Sequence, residues 1–81
     1  MKIGVISAIL EEPSNCNAEF NEVVANFRGN IKGRMGIPME GDISIISIVV
    51  TGELNEINSL TGKLGSIQGV TVKTAISKKE M

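Results

Sequence analysis

Ile43-Ser44-Ile45-Ile46-Ser47-Ile48-Val49-Val50 decides the fold of this 81-residue chain. The run is almost wholly apolar and rich in β-branched residues, which fit a pleated, buried surface. A strand that solvates one face alternates apolar with polar; this one offers Ile46, Ile48 and Val50 to one side and Ile43, Ile45 and Val49 to the other. That pattern marks a central strand covered on both faces. One other segment has the same character. Lys2–Leu10 places Ile3, Val5 and Ile9 against Ile6, Ala8 and Leu10.

Weaker strands flank these two. Ile31–Met39 alternates Ile31, Gly33, Met35 and Ile37 with Lys32, Arg34 and Gly36, and its two glycines and Pro38 suit an edge or bulged strand. Glu40-Gly41-Asp42 is a turn that folds it back onto Ile43–Val50 as a hairpin. Val70–Ile76 alternates again, and Ser77–Met81 is a polar tail.

Two helical patterns separate the strands. After Glu11-Glu12-Pro13-Ser14, Cys16, Phe20, Val23, Val24 and Phe27 recur at helical spacing. Pro13 suits the first turn, Ser14 or Asn15 is the expected cap, and Gly29-Asn30 the expected stop. After Thr51-Gly52, Leu54, Ile57, Leu60 and Leu64 form a second stripe that ends before Gly69. Glu53 and Glu56 in its first turn and Lys63 near its end complement the helix dipole. The order β-α-β-β-α-β predicts an α+β, ferredoxin-like sandwich, with an antiparallel four-stranded sheet and both helices on one face. The first and third strands are then central, and residues 1–81 form a single domain.

Such a sheet leaves one face to water. Because both central strands are apolar on both sides, a large apolar patch remains whichever side meets the helices, and such patches mark interaction sites. A chain this short buries roughly 60–65% of its unfolded surface, and domains of this size commonly rely on disulfides, metals or oligomerisation. The single Cys and the absence of His remove an internal disulfide, a thiolate zinc site and an imidazole site. A homo-oligomer, dimeric or tetrameric, that buries the open face, an edge strand or both is therefore expected.

Charge and composition narrow the function. Nine acids against eight bases give a net charge of −1, with no basic footprint for nucleic acid or an anionic membrane. No apolar run approaches the roughly 20 residues of a membrane helix. Lys2–Leu10 is followed by Glu11-Glu12-Pro13 where a signal peptide would carry small residues, so a cytoplasmic location is expected. Without His, the usual general base is missing, and no catalytic residue, metal ligand or cofactor is assigned.

Two stretches carry a family resemblance: Arg34-Met35-Gly36-Ile37-Pro38, and Thr61-Gly62-Lys63-Leu64-Gly65-Ser66-Ile67-Gln68-Gly69-Val70-Thr71-Val72-Lys73-Thr74. Together they resemble the iron-only hydrogenase system regulators, over essentially the whole chain. That family is similar in fold to the C-terminal domain of the nickel-responsive regulator and to ACT domains. The resemblance implies a ligand-sensing, regulatory module of an anaerobic bacterium, in the transcriptional-regulator class. Two features depart from the relatives. The nickel site uses His and cannot be carried over, and no segment corresponds to the ribbon–helix–helix that binds DNA, so no direct DNA binding is expected. Glu11-Glu12-Pro13-Ser14 resembles the acidic-x-Pro-Gly turn of ACT domains, with Ser14 in place of the glycine.

The expected ligand site comprises Glu12, Ser14 and Asn15 in the first loop with Arg34 and Gly36 on the edge strand, and takes a small molecule at a subunit interface. The bland readings stand beside it: a solvated turn for Glu11 and Glu12, a charge that discourages edge pairing for Arg34, and a small core hydrophobe for Cys16. Gly62 and Gly65 share a side of the second helix, where close packing or an approaching ligand or partner would account for them. The alternative function is a structural, protein-interaction subunit with no small ligand.

Overall fold

A computed structural model describes residues 1–81. Strand β1 (Lys2–Glu11) leads into helix α1 (Pro13–Ala25), the hairpin β2 (Asn30–Met39) and β3 (Ile43–Gly52), helix α2 (Leu54–Gly65) and strand β4 (Val70–Ile76). The sheet is antiparallel in the order β2-β3-β1-β4. The two strands apolar on both sides are thus the central pair, as expected. Gly41 and Asp42 both take positive φ in the hairpin turn.

Register settles which apolar row is the core. Ile6 pairs with Ile48, Ala8 with Ile46, and Leu10 with Val70 across the sheet. These side chains meet Cys16, Phe20 and Val24 of α1 and Ile57, Leu60 and Leu64 of α2. A slip of one residue would swap this row for Val5, Ser7 and Ile9 of β1 and Ile45, Ser47 and Val49 of β3, and so bury the two serine hydroxyls against the helices. The opposite face keeps Ile3, Val5, Ile9, Val49, Met35, Ile37 and Met39 exposed, with Met35 57% and Met39 51% accessible.

Four local expectations are corrected. Helix α1 is capped by Glu12, not by Ser14 or Asn15, and no side chain closes the cap. It ends at Ala25, before Gly29-Asn30. Gly29 is there for close approach: a Cβ would lie 2.6 Å from the Phe27 ring and closer still to the Thr51 carbonyl. Leu54 lies outside the α2 stripe, 47% exposed. Of the two α2 glycines only Gly65 is closely packed, against Val72, while Gly62 faces open space.

Strand β2 carries a bulge at Lys32, between the pairs Ile31–Val50 and Gly33–Val49. One inserted residue turns the strand over. Ile31 therefore shares the helix face with Arg34 and Gly36, whose pairing partners Ile48 and Ile46 are core residues. Gly33, Met35 and Ile37 go to the open face, separated from Ile31 despite the even spacing.

Candidate functional site

The end of β1 and the start of α1 form a corner beside the α2–β4 connection. Two backbone hydrogen bonds pin it: Glu11 N–H donates to the Gly69 carbonyl (2.7 Å) and Glu12 N–H to the Asp42 carbonyl (2.9 Å). Gly69 has φ 89, and its missing Cβ leaves room for the Glu11 carbonyl. Glu12 takes a left-handed backbone, φ 55 and ψ 62, the turn that starts the helix. The Asn15 amide donates to the Glu12 carboxylate at 3.3 Å.

A cleft of about 680 Å³ opens at this corner, lined by Glu11, Glu12, Asn15, Cys16, Glu19 and the Gln68-Gly69 segment. Its carboxylates face no Lys or Arg in the lining, so the cleft favours a positively charged or amine-bearing group by Coulomb attraction. No three of the Asp, Glu and Cys side chains are grouped closely enough to hold a metal ion. Cys16 forms part of the wall but is 2% exposed, its Sγ 3.8 Å from the carbonyl oxygens of Glu11 and Glu12. Burial pushes its thiol up, so it is a poor nucleophile at neutral pH.

The five expected site residues divide into two groups. Glu12 and Asn15 line the cleft, and Ser14 is exposed on the first turn of α1 beside it. Arg34 and Gly36 lie elsewhere on β2. Glu11 pairs with Ile43, which pairs with Met39, so the corner is level with Met39 and Arg34 is five residues away, about 16 Å along the strand. The Arg34 guanidinium lies 5.6 Å from the centre of the Phe20 ring and donates to Asn21 Oδ1 at 2.6 Å. It ties the edge strand to α1. Glu19, Gln68 and Gly69 were absent from the expected set. Topology could have found the last two, because β4 begins beside the end of β1 in this strand order.

No helix is long and apolar enough to cross a membrane. Residues 2–74 match the model of a family described as "TM1266-like: Iron-only hydrogenase system regulator, putative". Among solved structures, the uncharacterized protein TM1266 from Thermotoga maritima is similar at a TM-score of 0.88 and 34% identity, over 96% of this chain and 100% of that one. The ACT domain from the GTP pyrophosphokinase of Chlorobium tepidum gives 0.77 and 20%, over 90% and 96% of the two chains. A formyltetrahydrofolate deformylase from Pseudomonas putida KT2440 gives 0.64 and 8%, over 90% of this chain but 28% of that one. The last two likenesses show the fold alone. No curated protein matches the chain.

Proposed function

The chain belongs to the TM1266-like family of iron-only hydrogenase system regulators, and from that premise we propose that it is a non-catalytic regulatory module that assembles with copies of itself and senses a small ligand. The observation that carries the reading is the uncovered sheet face. Ile3, Val5 and Ile9 of β1, Val49 of β3 and Met35, Ile37 and Met39 of β2 are all exposed on one side of the sheet. Contiguous apolar surface of that kind marks an interaction site, and a second copy supplies a matching one.

The ligand enters the corner cleft. Glu12 offers a carboxylate, Asn15 an amide and Ser14 a hydroxyl, and the acidic lining selects a ligand bearing an amine. Arg34 and Gly36 reach that ligand only from a neighbouring copy, since about 16 Å of strand separates them from the corner of their own chain. The fold of the GTP pyrophosphokinase ACT domain supports a regulatory role for a separate unit of this size. The module works in the cytoplasm, within a hydrogenase system, and acts on transcription through a protein partner.

A thermal-shift screen of amino acids, nucleotides and divalent metals tests the reading. A ligand at a hundred times its Kd adds about 2.7 kcal/mol to the native state. In a domain of this size each kcal/mol is worth about 4–8 °C. An amine-bearing compound that raises Tm in the native chain, and not in Glu12→Gln, is the expected result. Silence across the screen would assign the chain to a structural role without ligand. Turnover of any compound would make it an enzyme.

A further inference from the structure

The far end of the helix pair carries a second cleft with the opposite charge. Between the end of α1, with Asn26–Arg28 that follow it, and α2 from Asn55 to Lys63 lies a groove of about 380 Å³. Val23, Phe27 and Leu60 supply its apolar surface. Phe27 is one of only two aromatic residues in the chain, and its ring is braced by the backbone at Gly29 and Gly52. The other aromatic, Phe20, is fully buried beneath Arg34.

Arg28 and Lys63 stand at this groove, one from each side of the helix pair. Neither has an acid within ion-pair distance; the ion pairs of the molecule are those of Glu80 with the N-terminal ammonium and with Lys2. The acid in the groove, Glu56, turns its Oε1 to the start of α2, where it accepts the Glu53 N–H at 3.3 Å, and the two cations outnumber it. Asn55 and Ser59, one helical turn apart, and Asn26 opposite them add side-chain donors.

We propose that this groove binds a phosphate monoester with an apolar or aromatic body. The two unpaired cations match a dianion, which a phosphate monoester becomes near neutral pH. The Arg28 fork takes two of its oxygens and the Lys63 ammonium a third. The body lies on the Phe27 ring and Leu60. This site is independent of the corner cleft, whose carboxylates repel such a ligand.

Titration of the isotope-labelled chain with phenyl phosphate, followed by amide resonances, tests it. Saturable shifts at residues 23–28 and 55–63 are expected. Inorganic phosphate should bind the same amides more weakly, which separates the anion's share from that of the body, and phenol should leave them unmoved. Arg28→Gln and Lys63→Gln should each weaken phenyl phosphate about tenfold, as loss of a charge-assisted hydrogen bond does, with the rest of the spectrum unchanged. Glu12→Gln should bind it like the native chain. Absence of saturable shifts in the groove, or equal affinity in the Arg28→Gln, Lys63→Gln double variant, would overturn the site.

Discussion

Glu12 sits at the corner cleft in a conformation that suits glycine. A left-handed backbone costs a residue with a Cβ about 1–2 kcal/mol, and the ring of Pro13 restricts the preceding residue further. Strain of this kind persists where a side chain is needed for something other than stability. Glu12→Gly should therefore raise stability by about 1 kcal/mol in urea unfolding. It should also remove the response to any amine-bearing ligand. A destabilised Glu12→Gly variant would mean that the Asn15–Glu12 hydrogen bond outweighs the strain. The neighbouring Cys16 makes a pH prediction. Burial raises its thiol in the folded state, so the unfolded chain releases that proton first. This contribution is complete below the ordinary thiol range and is lost as pH rises through the folded value. Tm should fall on the alkaline side more steeply in the native chain than in Cys16→Ala. Parallel curves would show that the thiol titrates alike in both states.

Helix α2 holds two glycines whose surroundings differ, and the difference predicts opposite outcomes. At Gly62 an added methyl meets nothing within 4 Å, so Gly62→Ala should gain about 0.5–1 kcal/mol from helix propensity alone. At Gly65 the same methyl lies 3.1 Å from Val72 Cγ1, and Gly65→Ala should lose that gain to crowding against β4. Urea unfolding of the two variants reads both signs. An oligomer lost in Gly62→Ala would assign the open side of α2 to a partner. Much at this scale was legible: the element order followed from two apolar runs, two helical stripes and the turn at Gly41. The start of α1 was not, because Ser14 and Asn15 are ordinary capping residues. Nothing in Glu12 announces a backbone that begins the helix two residues earlier. The glycines and Pro38 of β2 pointed to an edge or bulged strand, but not to a bulge at Lys32, since the alternation through Ile31 and Gly33 is unbroken. That one residue decides that Arg34 turns toward Phe20 and Asn21. The helix groove is not legible in the sequence, because Arg28 lies far along the chain from Asn55, Ser59 and Lys63, and only the packing of α1 on α2 assembles them.

Across the whole sheet, the open face is built in rows. Ile37, Ile45 and Ile9 align in one row and Gly33, Val49 and Val5 in another, with Met35, Ser47, Ser7 and Lys73 between them. The serines also held the answer to which side meets the helices. Ser7 and Ser47 interrupt the outward rows of β1 and β3 at mid-strand and face each other across the ladder, while the inward rows Ile6-Ala8-Leu10 and Ile46-Ile48-Val50 are apolar and the inward serine of β3, Ser44, lies only at the strand's start. The hydroxyls are small enough to lie within a face-to-face contact and bond across it, whereas Lys73 must stay at its margin. Ile9 is therefore the sharpest probe of assembly: it is exposed in the single chain, it is not a member of the buried core cluster, and it lies between Ile45 and Thr71 on the open face. Ile9→Glu should leave the circular dichroism and the fold of the monomer intact. Placed in a buried interface, its carboxylate would have no partner and would cost several kcal/mol per copy. Sedimentation velocity should then find the native chain as an oligomer and Ile9→Glu as a monomer at the same concentration. A native chain that sediments as a monomer at micromolar concentration would refute assembly through this face. An Ile9→Glu oligomer would move the contact to an edge strand, where Lys73→Glu on β4 and Met35→Glu on β2 distinguish the two edges.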